Sequence, residues 1–294
     1  MLKPAFPDGH FYSPVIDPAE AHVARSRIWR ENPEDPLGIN FRPSEQHALL
    51  RSLSVLAEDF DYPENASRSG DVHFHERNGK FEGLDARMLF CLLRYLQPTR
   101  VVEVGSGFSS LLAADVNTRF LGSSAQITCI EPFPPDFLKR PISGIHQILE
   151  EKVQDVPLKM FEELRENDIL FIDSSHVVKT GSDVTFLQLE VLPRLRDGVV
   201  IHIHDIFLPE DYPMEWVLGE QRSWSEQYLV RALLTFSYGF AIVFACHYAF
   251  LRLPSEICAV FGRLYGGGSL WLRRTRRPKE GVPCRGVGEG DANE

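Results

Sequence analysis

Apolar positions along this chain follow two patterns. Before residue 97 they recur at helical spacing. PSEQHALLRSLSVLAEDF, starting at Pro43, reads as a helix with Ser44 as its N-cap. Leu84 to Leu96 reads as a second helix, stopped by Gln97-Pro98. Beyond it, short runs that are apolar almost throughout alternate with helical stretches. The runs are RVVEV (100–104), ITCIE (127–131), GIHQIL (144–149), DILFID (168–173), GVVIHIHD (198–205), FAIVFAC (240–246) and GGGSLWLRR (266–274). Between them SSLLAADVNTRF, MFEELRE, VTFLQLEVLPRL and WSEQYLVRALLTF read as helices. Strands buried on both faces and alternating with helices predict an α/β fold with a doubly wound, mostly parallel, seven-stranded sheet.

The flanks differ. Residues 1 to 40 are rich in proline and charge, with one short helix expected near AEAHVARSRIW. ENASRSGDVHFHERNGKFEG is a polar loop carrying the alternating pair His73 and His75, expected to be solvated. Residues 275–294 turn to Arg, Gly, Pro and Glu, a composition with little to bury, and are expected to be disordered. The predicted organisation is therefore an N-terminal extension (1–83) on the substrate side, a main domain (84–274) and a tail (275–294).

Composition narrows the classes of function. The chain has 294 residues, 44% hydrophobic and 24% charged, which suits one sizeable core. A formal net charge of −10 argues against a nucleic-acid backbone as the partner. The five cysteines are scattered and contain no C-x-x-C pair, so a reducing compartment is expected. The N-terminus has no apolar run of signal-peptide length, and FAIVFACHYAFL (240–251) is too short to span a bilayer. A cytoplasmic protein without a membrane partner is the expectation, with homo-oligomerisation left open.

Candidate chemistry collects at the strand ends. In VVEVGSGFSS, Gly105 and Gly107 lie between the first strand and a helix, where a tight turn lets backbone N–H groups approach a ligand. Nucleotide, nicotinamide and S-adenosylmethionine sites all use such turns. Glu103 sits two residues before the first glycine, where a carboxylate suits an ammonium and not a pyrophosphate. Glu131 ends the second strand, where it can accept from ribose hydroxyls.

On these residues the chain resembles the class I S-adenosylmethionine-dependent methyltransferases: Glu103-Val-Gly105-Ser-Gly107, then Glu131, then Asp173 closing the fourth strand. The resemblance covers roughly residues 84–274, including the final strand pair. It implies a cofactor site in which Glu103, Gly105, Ser106 and Gly107 hold the methionine end and Glu131 the ribose. Gln154 and Asp155 would lie near adenine, with Asp173 and Ser174 at the neighbouring strand end.

FIDSSH ends the fourth strand with Asp173 and His176, and VVIHIHDIF ends the fifth with His204 and Asp205. If these strands are neighbours, two aspartates and two histidines converge on one crevice. Oxygen and imidazole donors suit Mg²⁺ or another divalent cation. The pattern is similar to the metal-dependent O-methyltransferases of the catechol and macrolide-sugar types. That resemblance implies His176 as general base with His204 as its rival, and Asp173, His204 and Asp205 as metal ligands. His204 stands where the family has an acid. His202, deeper on the same strand face, is read as structural. Phe207, Tyr212 and Trp216 would suit a sugar ring or other flat acceptor. The expected activity is methylation of a hydroxyl on a small molecule, such as a sugar. A nicotinamide-dependent (NAD or NADP) oxidoreductase, a metal enzyme of the cephalosporin-hydroxylase type and a non-catalytic binding protein are the rival readings.

Overall fold

The computed structural model describes residues 4–66 and 72–275. Seven strands form one sheet: β1 (Arg100–Val104), β2 (Gln126–Ile130), β3 (Gln147–Leu149), β4 (Ile169–Ile172), β5 (Val200–Ile203), β6 (Phe240–Ala245) and β7 (Leu270–Arg274). Their order is β3-β2-β1-β4-β5-β7-β6. The first five are parallel, while β7 runs antiparallel between β5 and β6. The chain reverses its winding between β1 and β4, which places a crevice at the carboxyl ends of those strands.

Alternate side chains of each strand enter two separate cores. Val101, Ile127, Ile169 and Phe171 pack on one face with the helix Gly83–Leu96. Val102, Val104, Leu170, Ile172, Ile201 and Ile203 pack on the other with Leu187, Val191 and Val230. Burial on both faces is why these strands read as unbroken apolar runs. Each strand stops one or two residues short of the predicted end on the carboxyl side of β2, β4 and β5. The polar residues Glu131, Asp173 and His204 follow directly, their N–H groups still donating to Leu149 O, Val104 O and Ile172 O of the neighbouring strands at 3.0, 2.8 and 2.9 Å, and Asp205 comes next.

Four sequence expectations change. The helix Pro43–Ala57 has Arg42 as its N-cap, with φ 54°, and no side-chain cap bond; Ser44 lies inside the first turn. Proline at the first helical position, where no N–H is needed, sets that start. The predicted helix over 184–195 is a helical turn Asp183–Phe186, a wide turn Leu187–Val191 and a 3₁₀ turn Leu192–Arg194 holding Pro193. Two helices between β6 and β7, Cys246–Arg252 and Pro254–Phe261, were not anticipated. Thr275 continues the fold, its N–H donating to Gly239 O at 3.0 Å; the rest of the expected tail lies outside the described residues.

Residues before 84 share the core of the sheet. Leu50, Leu53, Phe74 and Phe81 are buried with the helix Gly83–Leu96. Gln46, fully buried on the helix Pro43–Ala57, accepts from Ala245 N at 3.0 Å at the end of edge strand β6. No helix among the described residues is long and apolar enough to cross a membrane.

Candidate active site

The glycine turn after β1 is shaped by what lies beside it. Gly105 has φ +81°, and a Cβ there would stand 1.7 Å from the Asp173 carbonyl oxygen, so the turn must pass bare against the end of β4. Gly107 is different. A Cβ would meet nothing within 4 Å, which leaves open space before the N-terminus of the helix Phe108–Phe120. Glu131, just past β2, accepts from Ser106 N at 3.2 Å and Phe133 N at 2.8 Å. Its carboxylate is thereby fixed at the rim of the turn.

Glu103 points the other way. It is only 2% exposed, and accepts from Ser109 Oγ at 2.5 Å and Cys129 Sγ at 3.6 Å. Burial pushes its carboxyl up to about 7, against the lowering effect of these bonds. In place of the expected direct contact with an ammonium, both oxygens are engaged inside the protein. The strand alternation that sends Val102 and Val104 to one core sends Glu103 to the other, under the helix start. Gln154 donates to Gly181 O at 2.9 Å, toward the loop after β4, and Asp155 is exposed.

The fourth and fifth strands are neighbours, and their ends converge as expected. His176 Nε2 lies 3.3 Å from Asp173 Oδ1 and 3.6 Å from Asp205 Oδ2. One donor atom from each of these three residues falls within 4.8 Å of the others. His176 (φ +60°) and Asp205 (φ +57°) both adopt the left-handed region, uncommon for such residues and concentrated at functional sites. His204 is not in this triangle. Its Nε2 is 3.6 Å from Asp205 Oδ1, its Nδ1 is 3.5 Å from Ser269 Oγ, and its ring lies against Phe81. His202 is fully buried, stacked on Phe171 with centroids 3.7 Å apart, and bonded through Nε2 to Ser269 Oγ at 2.8 Å. Burial holds its pKa well below the ordinary value, as suits a structural residue.

Electrostatics tie the cluster together. Burial disfavours a charged His176, yet Asp173 and Glu226 outweigh it and push the ring up to about 10. His204 is also raised: Asp173 and Asp205 overcome its burial. Asp173 lies below its ordinary value despite burial, because His204 and His176 favour its charge, while burial raises Asp205. Two carboxylates and one imidazole opening on a crevice form an O,N,O donor set that fits a divalent cation.

A cavity of about 720 Å³ opens over the cluster. Phe207, Trp216, Trp224 and Phe250 supply its aromatic lining, and Arg222 is held between Trp216 and Trp224 at 4.2 and 4.6 Å from their ring centroids. Tyr212 faces inward instead, 2% exposed, with its hydroxyl accepting from Gln227 N at 2.9 Å. Of the predicted histidine pair, His73 is exposed, but His75 is buried with its ring edge-on to Phe108.

Several site residues escaped the sequence reading. Glu226, fully buried, lies 3.0 Å from His176 Nδ1; in sequence it looked like an ordinary acid in a first helical turn. Ser174, expected at the cofactor, donates to Glu226 at 3.3 Å. Asp85 accepts from Gly268 N and Ser269 N at 2.9 and 2.8 Å, fixing one wall of the cavity.

The chain is similar in part to known proteins. A family described as a methyltransferase domain matches residues 102–206, the stretch from the glycine turn to the Asp205 strand end. An uncharacterised protein of Archaeoglobus fulgidus is 40% identical over 167 residues, 56% of this chain and 76% of that protein. Looser structural likenesses include a putative O-methyltransferase from Klebsiella pneumoniae, with 13% identity, 88% and 96% of the two chains covered and a TM-score of 0.39. A methyltransferase from Geobacter sulfurreducens has 14% identity, 87% and 97% covered and a TM-score of 0.37. A cmcI structure described as Mg-SAM has 20% identity, 63% and 68% covered and a TM-score of 0.35. The matched stretch holds the end of β1, the glycine turn and β4 and β5 with their carboxyl ends, so residues 102–206 carry a match to a methyltransferase domain within the β3-β2-β1-β4-β5-β7-β6 sheet.

Proposed function

We propose that the chain methylates a hydroxyl oxygen on a small ring-bearing molecule, such as a sugar, held in the aromatic cavity. The observation that carries this reading is His176 Nε2, standing between Asp173 and Asp205 beneath Phe207, Trp216 and Trp224. The donor supplies an electrophilic methyl on a positively charged sulfur. The open approach to Gly107 and the tethered Glu131 suit its binding, with a carboxylate where ribose hydroxyls need an acceptor.

A hydroxyl is a weak nucleophile, so the chain has two tasks: to align it and to remove its proton. The aromatic wall gives a flat ring an apolar face to lie on. His176 is the proton acceptor. In the ligand-free chain its ring keeps a proton, because the carboxylates around it outweigh burial. A cation held by Asp173 and Asp205 would oppose that proton, which would leave the His176 ring neutral and able to take one from the hydroxyl. Asp173 and Asp205 would hold a divalent cation, which when bound would orient the hydroxyl and acidify it.

A second reading follows from the 4.8 Å triangle: His176 is itself a cation ligand, and His204 the base. Under both readings His176→Ala binds S-adenosylhomocysteine like the wild type and loses at least roughly 100-fold in methyl transfer. Retained transfer would remove His176 from the mechanism. Mn²⁺ separates the two. It should raise the melting temperature of the wild type and not of Asp205→Ala. His176→Ala keeps the rise if His176 is the base and loses it if His176 is a ligand.

A further inference from the structure

Glu226 has no surface to serve. Its carboxylate is fully buried, yet no lysine or arginine pairs with it among the described residues. Its partners are His176 Nδ1 at 3.0 Å, Ser174 Oγ at 3.3 Å and Gln188 Nε2 at 3.1 Å. A carboxylate oxygen accepts hydrogen bonds, so the 3.0 Å contact is met when Nδ1 carries the proton it shares with Glu226. That leaves Nε2 as the nitrogen that faces Asp173 and Asp205.

The backbone enforces the same arrangement. The His176 carbonyl accepts from Ser225 N at 2.8 Å and Glu226 N at 3.1 Å, at the start of the helix Glu226–Leu234. Trp224 lies over the imidazole with centroids 4.3 Å apart. Three successive residues thus grip His176 by its carbonyl, its ring face and its Nδ1. A buried carboxylate surrounded only by donors belonging to one strand-end turn and Gln188 contributes little to packing. Its position is explained if its role is orientation.

We infer that Glu226 is a positioning residue that holds the His176 ring with Nδ1 protonated and Nε2 presented to the reacting hydroxyl. This rests on the reading of His176 as a group that acts on the acceptor. Buried carboxylates behind a working imidazole fix its tautomer and ring orientation, and their loss commonly costs roughly 10- to 100-fold in activity or metal affinity.

Gln188 makes the test clean. Only its amide nitrogen can face a carboxylate, and its Oε1 is buried without a hydrogen-bond partner among the described residues. In Glu226→Gln the new amide oxygen can accept from His176 Nδ1, while a turned Gln188 offers Oε1 to the new amide nitrogen. Glu226→Leu keeps the volume and removes the acceptor. The full-length chain, ¹⁵N-labelled at histidine, should show a slowly exchanging His176 Nδ1–H in wild type and Glu226→Gln. In Glu226→Leu that signal should be lost. Its absence from the wild type, or its survival in Glu226→Leu, overturns the inference.

In transfer assays Glu226→Leu should lose roughly 10- to 100-fold in kcat with KM for the acceptor unchanged, and Glu226→Gln should recover most of that loss. A loss confined to KM, or Gln no better than Leu, also overturns it. A wild type that transfers no methyl to any hydroxylated acceptor would count against the proposed function, while the Nδ1–H signal would still decide the role of Glu226. If Glu226→Leu fails to fold, the signal in Glu226→Gln and the wild type decides.

Discussion

Glu103 shows how one side chain changes meaning between sequence and structure. Its spacing from Gly105 suggested a carboxylate waiting for an ammonium, but the strand alternation turns it inward onto Ser109 and Cys129. The consequence is measurable. Its carboxyl titrates near 4.5 when exposed and at about 7 in the fold. The folded chain holds this proton more tightly than the unfolded one. Its contribution therefore favours the fold fully below the exposed value and is lost as pH rises through the folded one. Glu103→Gln should flatten that stretch of the stability curve, the difference between wild type and variant changing by about 3 kcal/mol. Urea unfolding of the ligand-free chain at both ends of the window checks this, and parallel curves would contradict it. At this scale the sequence was legible where motif and strand end coincide, as at Gly105, Asp173, His176 and Asp205. It was not legible where a residue arrives from a distant element. Glu226, Trp224 and Phe250 carry no local signature, and nothing in FLPEDYPMEWV tells that Tyr212 turns inward while Trp216 faces the cavity.

Among the elements, the strands were read closely because burial on both faces leaves a clear mark in sequence. Helices fared less well where apolar residues run on without a break. FAIVFACHYAFL passes from β6 directly into the helix Cys246–Arg252, with no glycine or proline at the junction. The glycine run at 266–268 is a packed approach to the last strand. A Cβ on Gly267 would stand 2.3 Å from Asp85 Oδ1, and a Cβ on Gly83 would stand 2.6 Å from Gly266 O. Bare backbone lets the helix Gly83–Leu96 press against this segment, and Asp85 then accepts both N–H groups that open β7. Removing a buried acceptor leaves two donors unsatisfied. Asp85→Ala should therefore destabilise the chain by about 3 kcal/mol, and Asp85→Asn, which keeps one acceptor oxygen, by about half as much. Denaturant midpoints give the test. Values for both variants within ~0.5 kcal/mol of wild type would mean that the segment is held by something else.

Across the whole molecule, the parallel strands, the winding reversal and the final antiparallel pair make one crevice with two ends. The glycine turn and Glu131 stand at one end, and the Asp173–His176–Asp205 cluster with its aromatic cavity at the other. The N-terminal residues brace the outer wall of that cavity. Trp29 Nε1 donates to Tyr212 O at 2.7 Å, and Ile16 N donates to Ser223 Oγ at 3.2 Å. We propose that this extension, read from sequence as a substrate-side element, sets the shape of the acceptor pocket through these contacts. Long-range contacts of this kind leave no period or motif behind, which is why these anchoring points are not legible in the sequence.

What the crevice binds decides the function. Calorimetric titration of the full chain with S-adenosylhomocysteine, beside NAD and NADP under the same conditions, tests it most directly. Saturable one-to-one binding of S-adenosylhomocysteine, with no heat from either nicotinamide cofactor, is the predicted result. Binding of NAD or NADP with none of S-adenosylhomocysteine would contradict it.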